Sequence, residues 1–217
     1  MSKNFKGYMG DQIGKLGTAV GRRWKRKMVY SSYQGKVHNP RTEEQVSVRL
    51  RFGALSKLAS AFLSAIDKGF KKMSELRQTT TGNCFISRNY SAVTLDEGGM
   101  VDVHFSNLTV SDGSLPAVTF GTADFSEPET VSVHFQGNGD QPNTDPNDKV
   151  YLFAYQPDLN QGMLSAAVQR SQATARITVP STWQGMQVHL YGFAVGDGNK
   201  KRGVASESDY VGSGTIA

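Results

Sequence analysis

Apolar residues recur at intervals of three, four and seven between positions 48 and 73, which is the spacing of one face of an α-helix. The series consists of Val48, Leu55, Leu58, Ala59, Phe62, Leu63, Ile66, Phe70 and Met73. Glycine disfavours a helix interior, so we expect a break or close packing near Gly53 or Gly69. The pattern predicts an amphipathic helix region over residues 39–77.

The segment NPRTEEQ offers two alternative starts for this helix. Asn39 can cap a helix whose first residue is Pro40, where the missing N–H is harmless. One register later, Thr42 and Gln45 form a potential capping box. Both alternatives place the start within a few residues of position 40.

After Gly99 the spacing changes to short alternating runs rich in β-branched and aromatic residues. Glycine, proline, asparagine and aspartate separate these runs, as expected for turns. The predicted strands cover residues 101–105, 117–120, 130–135, 149–155, 175–179, 186–195 and 208–216. Seven strands of this length are typical of an antiparallel sandwich, immunoglobulin/fibronectin-III-like in size.

Residues 1–38 have too little apolar periodicity for a core of their own. We interpret them as a basic, glycine-rich extended arm with one short strand at 27–31. The glycines at 14, 17 and 21 indicate places where the backbone turns or passes close to a neighbour. The predicted order is therefore an arm (1–38), an amphipathic helix region (39–77), a connector with a short helix (78–99) and a β-sandwich domain (100–217), in a mainly β fold.

The charge of the chain is unevenly distributed. Residues 1–77 carry 17 Lys and Arg against 5 Asp and Glu, a net +12, whereas residues 78–217 carry 7 against 14, a net −7, which together give the overall +5. Such asymmetry can attract a polyanion to one end of a molecule or promote head-to-tail contact between copies.

The densest basic run is VGRRWKRK at residues 20–27. Its tryptophan can stack on a base or anchor a protein interface, and its cations suit phosphate or acidic protein equally. We also expect two arginines at the helix start to pair with nearby carboxylates. The predicted interface or polyanion-binding residues are Lys15, Arg22, Arg23, Trp24, Lys25, Arg26, Lys27, Arg41 and Arg49.

The sequence contains no signature of an enzyme. It has no nucleophile elbow, P-loop or paired Cys/His arrangement, and the single cysteine, Cys84, excludes an intramolecular disulfide. His104, His134 and His189 each follow a valine expected to face inward, so alternation predicts that all three point outward rather than toward a shared metal. We predict no cofactor and no catalytic residue.

The loop 137–149 contains Asp140, Asp145 and Asp148 among asparagines, all with the oxygen ligands that calcium prefers. It lacks the order of a calcium-binding EF-hand loop, and two prolines interrupt it. The pattern favours a long solvated hairpin, with calcium binding as the alternative.

The N-terminal segment has no apolar run of signal-peptide length, and no segment approaches a membrane-spanning length. We therefore expect cytoplasmic synthesis without membrane insertion.

Two motifs carry a resemblance to a known family. They are G-K-x-G-x-x-V-G-x-x-W at residues 14–24 and N-P-R-T-x-x-Q-x-x-x-R at residues 39–49. With them, nearly the whole chain resembles a widespread uncharacterised family of Bacteroidota and their phages, a domain of unknown function. The helix start is also similar to small structural proteins encoded among phage head and tail genes. The resemblance implies that arm and sandwich form one unit, and it favours an assembly protein.

The leading hypothesis is a non-enzymatic structural subunit that docks through its arm and helix on other copies of itself or on a larger assembly, with a phage virion as one such assembly. A nucleic-acid-binding protein that uses the basic arm is the first alternative. A surface-recognition module that uses the sandwich loops is the second.

Overall fold

The computed structural model describes the chain except for residues 1–2, 5–11, 25–26, 37–38, 40, 97, 138–140 and 198–201, and it describes only the backbone of residues 3–4. The chain divides into two compact units, residues 1–45 and residues 46–217.

The first unit contains an antiparallel sheet of four strands in sequential order. The strands are β1 (Lys3–Asn4), β2 (Gln12–Leu16), β3 (Ala19–Trp24) and β4 (Lys27–Ser32). The short strand predicted at 27–31 is therefore confirmed as β4, whereas the strands that pair before it were not predicted. Burial in this unit is limited, in line with its few apolar residues.

Two glycines of the arm have the structural roles that their spacing predicted. Gly17 begins the two-residue turn between β2 and β3 and has a φ of +58°, a left-handed conformation that costs other residues free energy. A Cβ at Gly21 would collide with the carbonyl oxygen of Gln12 and lie 3.0 Å from the ring of Tyr30. Gly17 and Gly21 are therefore required by the geometry of the arm sheet.

Four helices follow the arm sheet: α1 (Glu43–Ala61), α2 (Leu63–Gly69), α3 (Lys71–Leu76) and α4 (Thr81–Arg88). The N–H of Gln45 donates to Oγ1 of Thr42 at 3.3 Å, so the later of the two predicted starts is correct. The helix region consists of three helices in succession, separated at Phe62 and Phe70.

Gly69, the last residue of α2, lies against the segment that contains Val110 and Ser111. A Cβ at this position would lie 2.5 Å from the carbonyl oxygen of Val110 and 2.6 Å from Cβ of Ser111. The predicted close packing at Gly69 is thus confirmed, whereas Gly53 has open space around it.

The remaining strands form three antiparallel sheets. The strands are β5 (Val93–Leu95), β6 (Val101–Val103), β7 (Thr119–Asp124), β8 (Thr130–Gln136), β9 (Lys149–Gln156), β10 (Gln161–Leu164), β11 (Val168–Gln169), β12 (Thr174–Thr178), β13 (Gln187–Val195) and β14 (Asp209–Thr215). β5 pairs with β6, one sheet has the order β12-β8-β7, and the largest has the order β10-β9-β13-β14 with β11 also on β9.

The two larger sheets pack face to face around one hydrophobic core, which makes an antiparallel β-sandwich. Val131 and Val133 of β8 meet Leu152 of β9 and Leu190 of β13 in this core, together with the fully buried Trp183. The predicted fold class is confirmed. The strand predicted at 101–105 is β6, which pairs with β5 outside the two larger sheets, so it is not a strand of the sandwich as predicted. The structure also adds β5, β10 and β11, which were not predicted.

A second core lies on the opposite face of the five-stranded sheet. Alternate residues of β9 and β13, such as Phe153 and Tyr191, point away from the sandwich and pack against α1, α2 and α4. The ring of Phe62 lies 4.7 Å, centroid to centroid, from that of Phe153. Because the helices cover this face, both faces of β9 and β13 are buried.

The prediction that all three strand histidines point to solvent is wrong for His189. His134 is exposed on β8 and His104 is exposed just after β6, but His189 is 9% exposed. Its ring stacks on Phe105 with centroids 4.3 Å apart, and Nδ1 lies 2.9 Å from the hydroxyl of Tyr210. Alternation along a strand predicts which side chains face solvent only if one face of the strand is exposed. Both faces of β13 are buried.

Burial of His189 makes the stability of the fold depend on pH. Desolvation lowers the pKa of His189 below the ordinary value of 6.5, so the unfolded chain takes up this proton first as pH falls. The stability contributed by the neutral ring is present above pH 6.5 and decreases as pH falls toward the folded pKa. The free energy of unfolding, measured with urea, should decrease less between neutral and mildly acidic pH for His189→Gln than for the native chain. Equal losses would contradict this assignment.

Candidate interaction surfaces

Cross-strand pairing brings four of the predicted cations and aromatics to one face of the arm sheet. Lys15 pairs with Val20, Trp24 pairs with Lys27, and Arg22 lies between Val20 and Trp24 on the same side of β3. We call Lys15, Arg22, Trp24, Lys27 and Tyr33 the arm surface. The other predicted residue on β3, Arg23, lies on the opposite face, while Lys25 and Arg26 fall outside the described residues.

The arm surface combines positive charge with accessible aromatic rings. Nζ of Lys15 lies 3.7 Å from the ring centroid of Tyr33, a cation–π contact, and the N–H of Tyr33 donates to the carbonyl of Thr18 at 2.7 Å. Trp24 is 48% exposed although it is the largest side chain of the sheet. An accessible tryptophan among cations is typical of binding surfaces.

The first half of α1 exposes apolar side chains that sequence reasoning assigned wrongly or missed. Val48 was assigned to the buried stripe but is 52% exposed, and Leu63 of α2 is exposed as well. We call the four exposed apolar residues of α1 the helix surface: Val46, Val48, Leu50 and Phe52. Their spacing of two places apolar side chains on opposite sides of a helix, a signal that could have revealed them.

The two arginines predicted at the helix start are both exposed. Arg49 lies on α1 beside the helix surface. Arg41 precedes α1 and forms no ion pair with any carboxylate of the described residues, so its predicted pairing is not observed there.

One of the predicted calcium ligands, Asp148, forms a buried ion pair with Arg170. Oδ2 of Asp148 lies 3.4 Å from Nε of Arg170, and both side chains are almost fully buried. The guanidinium also donates to the carbonyls of Gly137 and Pro116 at 2.6 and 2.9 Å. Burial lowers the pKa of Arg170 and the charge of Asp148 opposes that shift.

The other two aspartates do not complete a cation site with Asp148 in the part of the chain that is described. Oδ1 of Asp145 accepts the N–H of Asn147 at 2.9 Å, and Asp140 falls outside the described residues. No cluster of three metal-ligating side chains occurs among the residues with described positions. Cys84 is buried in α4.

A family model matches residues 10–212, a span that includes both the arm strands and the sandwich. The model is described as "Family of unknown function (DUF6266)". The chain belongs to this family. The resemblance to an uncharacterised family is thereby confirmed, while the association of the DUF6266 family with phages stays a prediction. Neither membership in DUF6266 nor the fold supplies positive evidence of an enzymatic activity.

The comparison with curated proteins finds no match. Among solved structures, the chain is similar to the fn3 domain of the human collagen alpha-1(XX) chain at 13% identity and a TM-score of 0.33, with 49% of this chain and 89% of that chain covered. Within the described residues, no helix has both the length and the apolar character needed to cross a membrane.

Proposed function

We propose that this protein is a non-enzymatic structural subunit that docks on other copies of itself through its arm surface and its helix surface. The observation that carries the proposal is the exposure of Val46, Val48, Leu50 and Phe52, which are 40%, 52%, 41% and 53% exposed. Single exposed apolar residues are ordinary, but four within seven residues on both sides of one helix favour burial by a partner.

The charge distribution supports a second copy as that partner. Residues 1–77 carry +12 and residues 78–217 carry −7, so opposite ends of the sequence attract in a head-to-tail arrangement. An acidic counterpart is available at the turn between β7 and β8, where Asp124, Glu127 and Glu129 are exposed. Hydrogen bonds from Ser126 lower the pKa of Asp124, which keeps this carboxylate charged.

The arm supplies an anchor of its own for docking. Trp24 offers a large apolar surface beside Arg22, and tryptophan and arginine dominate the energetics of protein interfaces. In the described sheet β4 is an edge strand and pairs with β3 alone. Its other edge can form backbone hydrogen bonds with a strand of a partner. A virion is one assembly that such a subunit would build.

Substitutions on the helix surface test the proposal without disturbing the core. Val48→Glu with Phe52→Glu replaces exposed apolar residues by a good helix former, so the fold should be kept while self-association weakens at least about tenfold in sedimentation velocity. Leu76→Glu is the matched control, because Leu76 is 77% exposed at the end of α3, outside the helix surface. Equal association of the double variant and the control would refute the role of α1.

Nucleic-acid binding is the second candidate, and the grouping of Lys15, Arg22 and Lys27 beside Trp24 favours it. Cations that track phosphates and a ring that stacks on bases are the components of single-strand binding. Fluorescence polarisation with labelled oligonucleotides at low salt separates the two candidates, because the assembly proposal expects no saturable binding by the arm.

A further inference from the structure

The second unit contains a polar cleft whose lining includes no residue of the helix surface. Its volume is about 830 Å³, within the range of small-molecule sites, and it is lined by α2, α3, the start of β9, β10 and the segment after β13. Its cations are Lys68, Lys71, Lys72, Lys149 and Arg202.

The cations of the cleft exceed its carboxylates, which are Asp67, Glu75 and Asp197. Nζ of Lys72 lies 3.4 Å from Oε2 of Glu75, and Nζ of Lys149 lies 3.2 Å from Oδ2 of Asp197. Two of the three carboxylates are therefore already neutralised by a lysine within the cleft.

The third carboxylate is engaged by a neutral group, because Oδ1 of Asp67 accepts the hydroxyl of Thr81 at 2.6 Å. Among the described residues, Lys68, Lys71 and Arg202 form no ion pair with a carboxylate. Three lining cations thus remain available for an anionic ligand.

Tyr151 adds a neutral donor to these cations. Its ring is buried, and Nζ of Lys68 lies 5.2 Å from the ring centroid. A tyrosine hydroxyl is protonated at neutral pH and can donate, and burial raises the pKa of Tyr151 further. Its hydroxyl forms no hydrogen bond with another described residue, and Tyr151 lines the cleft.

We propose that this cleft binds the phosphate group of a small ligand through Lys68, Lys71, Arg202 and the hydroxyl of Tyr151. A phosphate carries between one and two negative charges at neutral pH and three acceptor oxygens, which matches three cations and one neutral donor. A nucleic-acid strand fits less well, because the ring of Tyr151 is too buried to stack on a base.

Calorimetric titration of the full chain with pyrophosphate tests the site. We expect saturable binding with a Kd of about 1 mM or below, weakened at least about tenfold by Lys68→Gln with Arg202→Gln. Tyr151→Phe should also weaken it while keeping the buried ring. The matched control is Lys57→Gln, which removes an exposed cation of α1 that does not line the cleft.

Three outcomes would overturn the proposal. One is the absence of saturable binding to the native chain, and another is an equal loss in Lys57→Gln, which would indicate only general attraction by net charge. The third is tighter binding of a thymidine oligonucleotide that Lys68→Gln with Arg202→Gln abolishes, which would assign the cleft to nucleic acid. None of these results depends on the assembly proposal.

Discussion

Replacement of Asp148 by alanine should lower the free energy of unfolding by about 3–5 kcal/mol, because it leaves the buried guanidinium of Arg170 without its counter-ion. The carboxylate also accepts two backbone N–H groups, from Asp145 at 3.0 Å and from Asp197 at 3.3 Å. These contacts connect the long loop before β9 to the segment after β13. Urea unfolding measured by circular dichroism gives the free-energy difference.

Glu127→Ala is the control for this substitution, since Glu127 is an exposed carboxylate for which a change within about 0.5 kcal/mol is expected. Asp148→Leu combined with Arg170→Met should recover part of the loss, because neither charge then remains buried alone. A cost of Asp148→Ala no larger than that of the control would show that the ion pair does not hold these loops.

Deletion of residues 1–38 should weaken self-association and leave the second unit folded. The buried residues of both cores lie between Leu55 and Ile216, so the truncation removes none of them. We expect the midpoint of thermal unfolding to stay unchanged within error, while the dissociation constant in sedimentation velocity rises at least about tenfold. Such a result would show that the arm surface contributes to association beside the helix surface, which the truncation keeps.

Two single substitutions refine this result. Trp24→Ala removes the aromatic anchor of the arm surface, whereas Tyr30→Ala removes a similarly exposed ring on the opposite face of the same sheet. We expect the first to weaken association and the second to have little effect. A larger effect of Tyr30→Ala than of Trp24→Ala would place the contact on the face of the arm sheet that carries Tyr30.

The sandwich could be predicted because β8 and β12 alternate between buried and more accessible residues and because turn-forming residues separate the strands. The helical layer on β9 and β13 could not, since both faces of these strands are apolar and the sequence alone does not say which face meets the second sheet. The wrong assignment of His189 has the same cause. Short strands such as β10 and β11 carry too few residues to show a period.

The arm and the loop before β9 show a different limit of sequence reasoning. The glycine spacing correctly predicted turns and close approaches in the arm, but the pairing of Trp24 with Lys27 depends on a register that the composition does not specify. Asp148 is one of several acidic residues in a polar loop, and nothing local marks it as the partner of Arg170. Long-range pairs of this kind become visible only in the folded chain.

Light scattering of the full chain across a range of protein and salt concentrations measures self-association without any substitution. A docking subunit should show an average mass above the 23.6 kDa of one chain, increasing with protein concentration and decreasing as salt screens the attraction between basic and acidic ends. A mass of 23.6 kDa at every protein concentration, at low salt as well as high, would show that the chain does not associate with itself and would refute its role as a docking subunit.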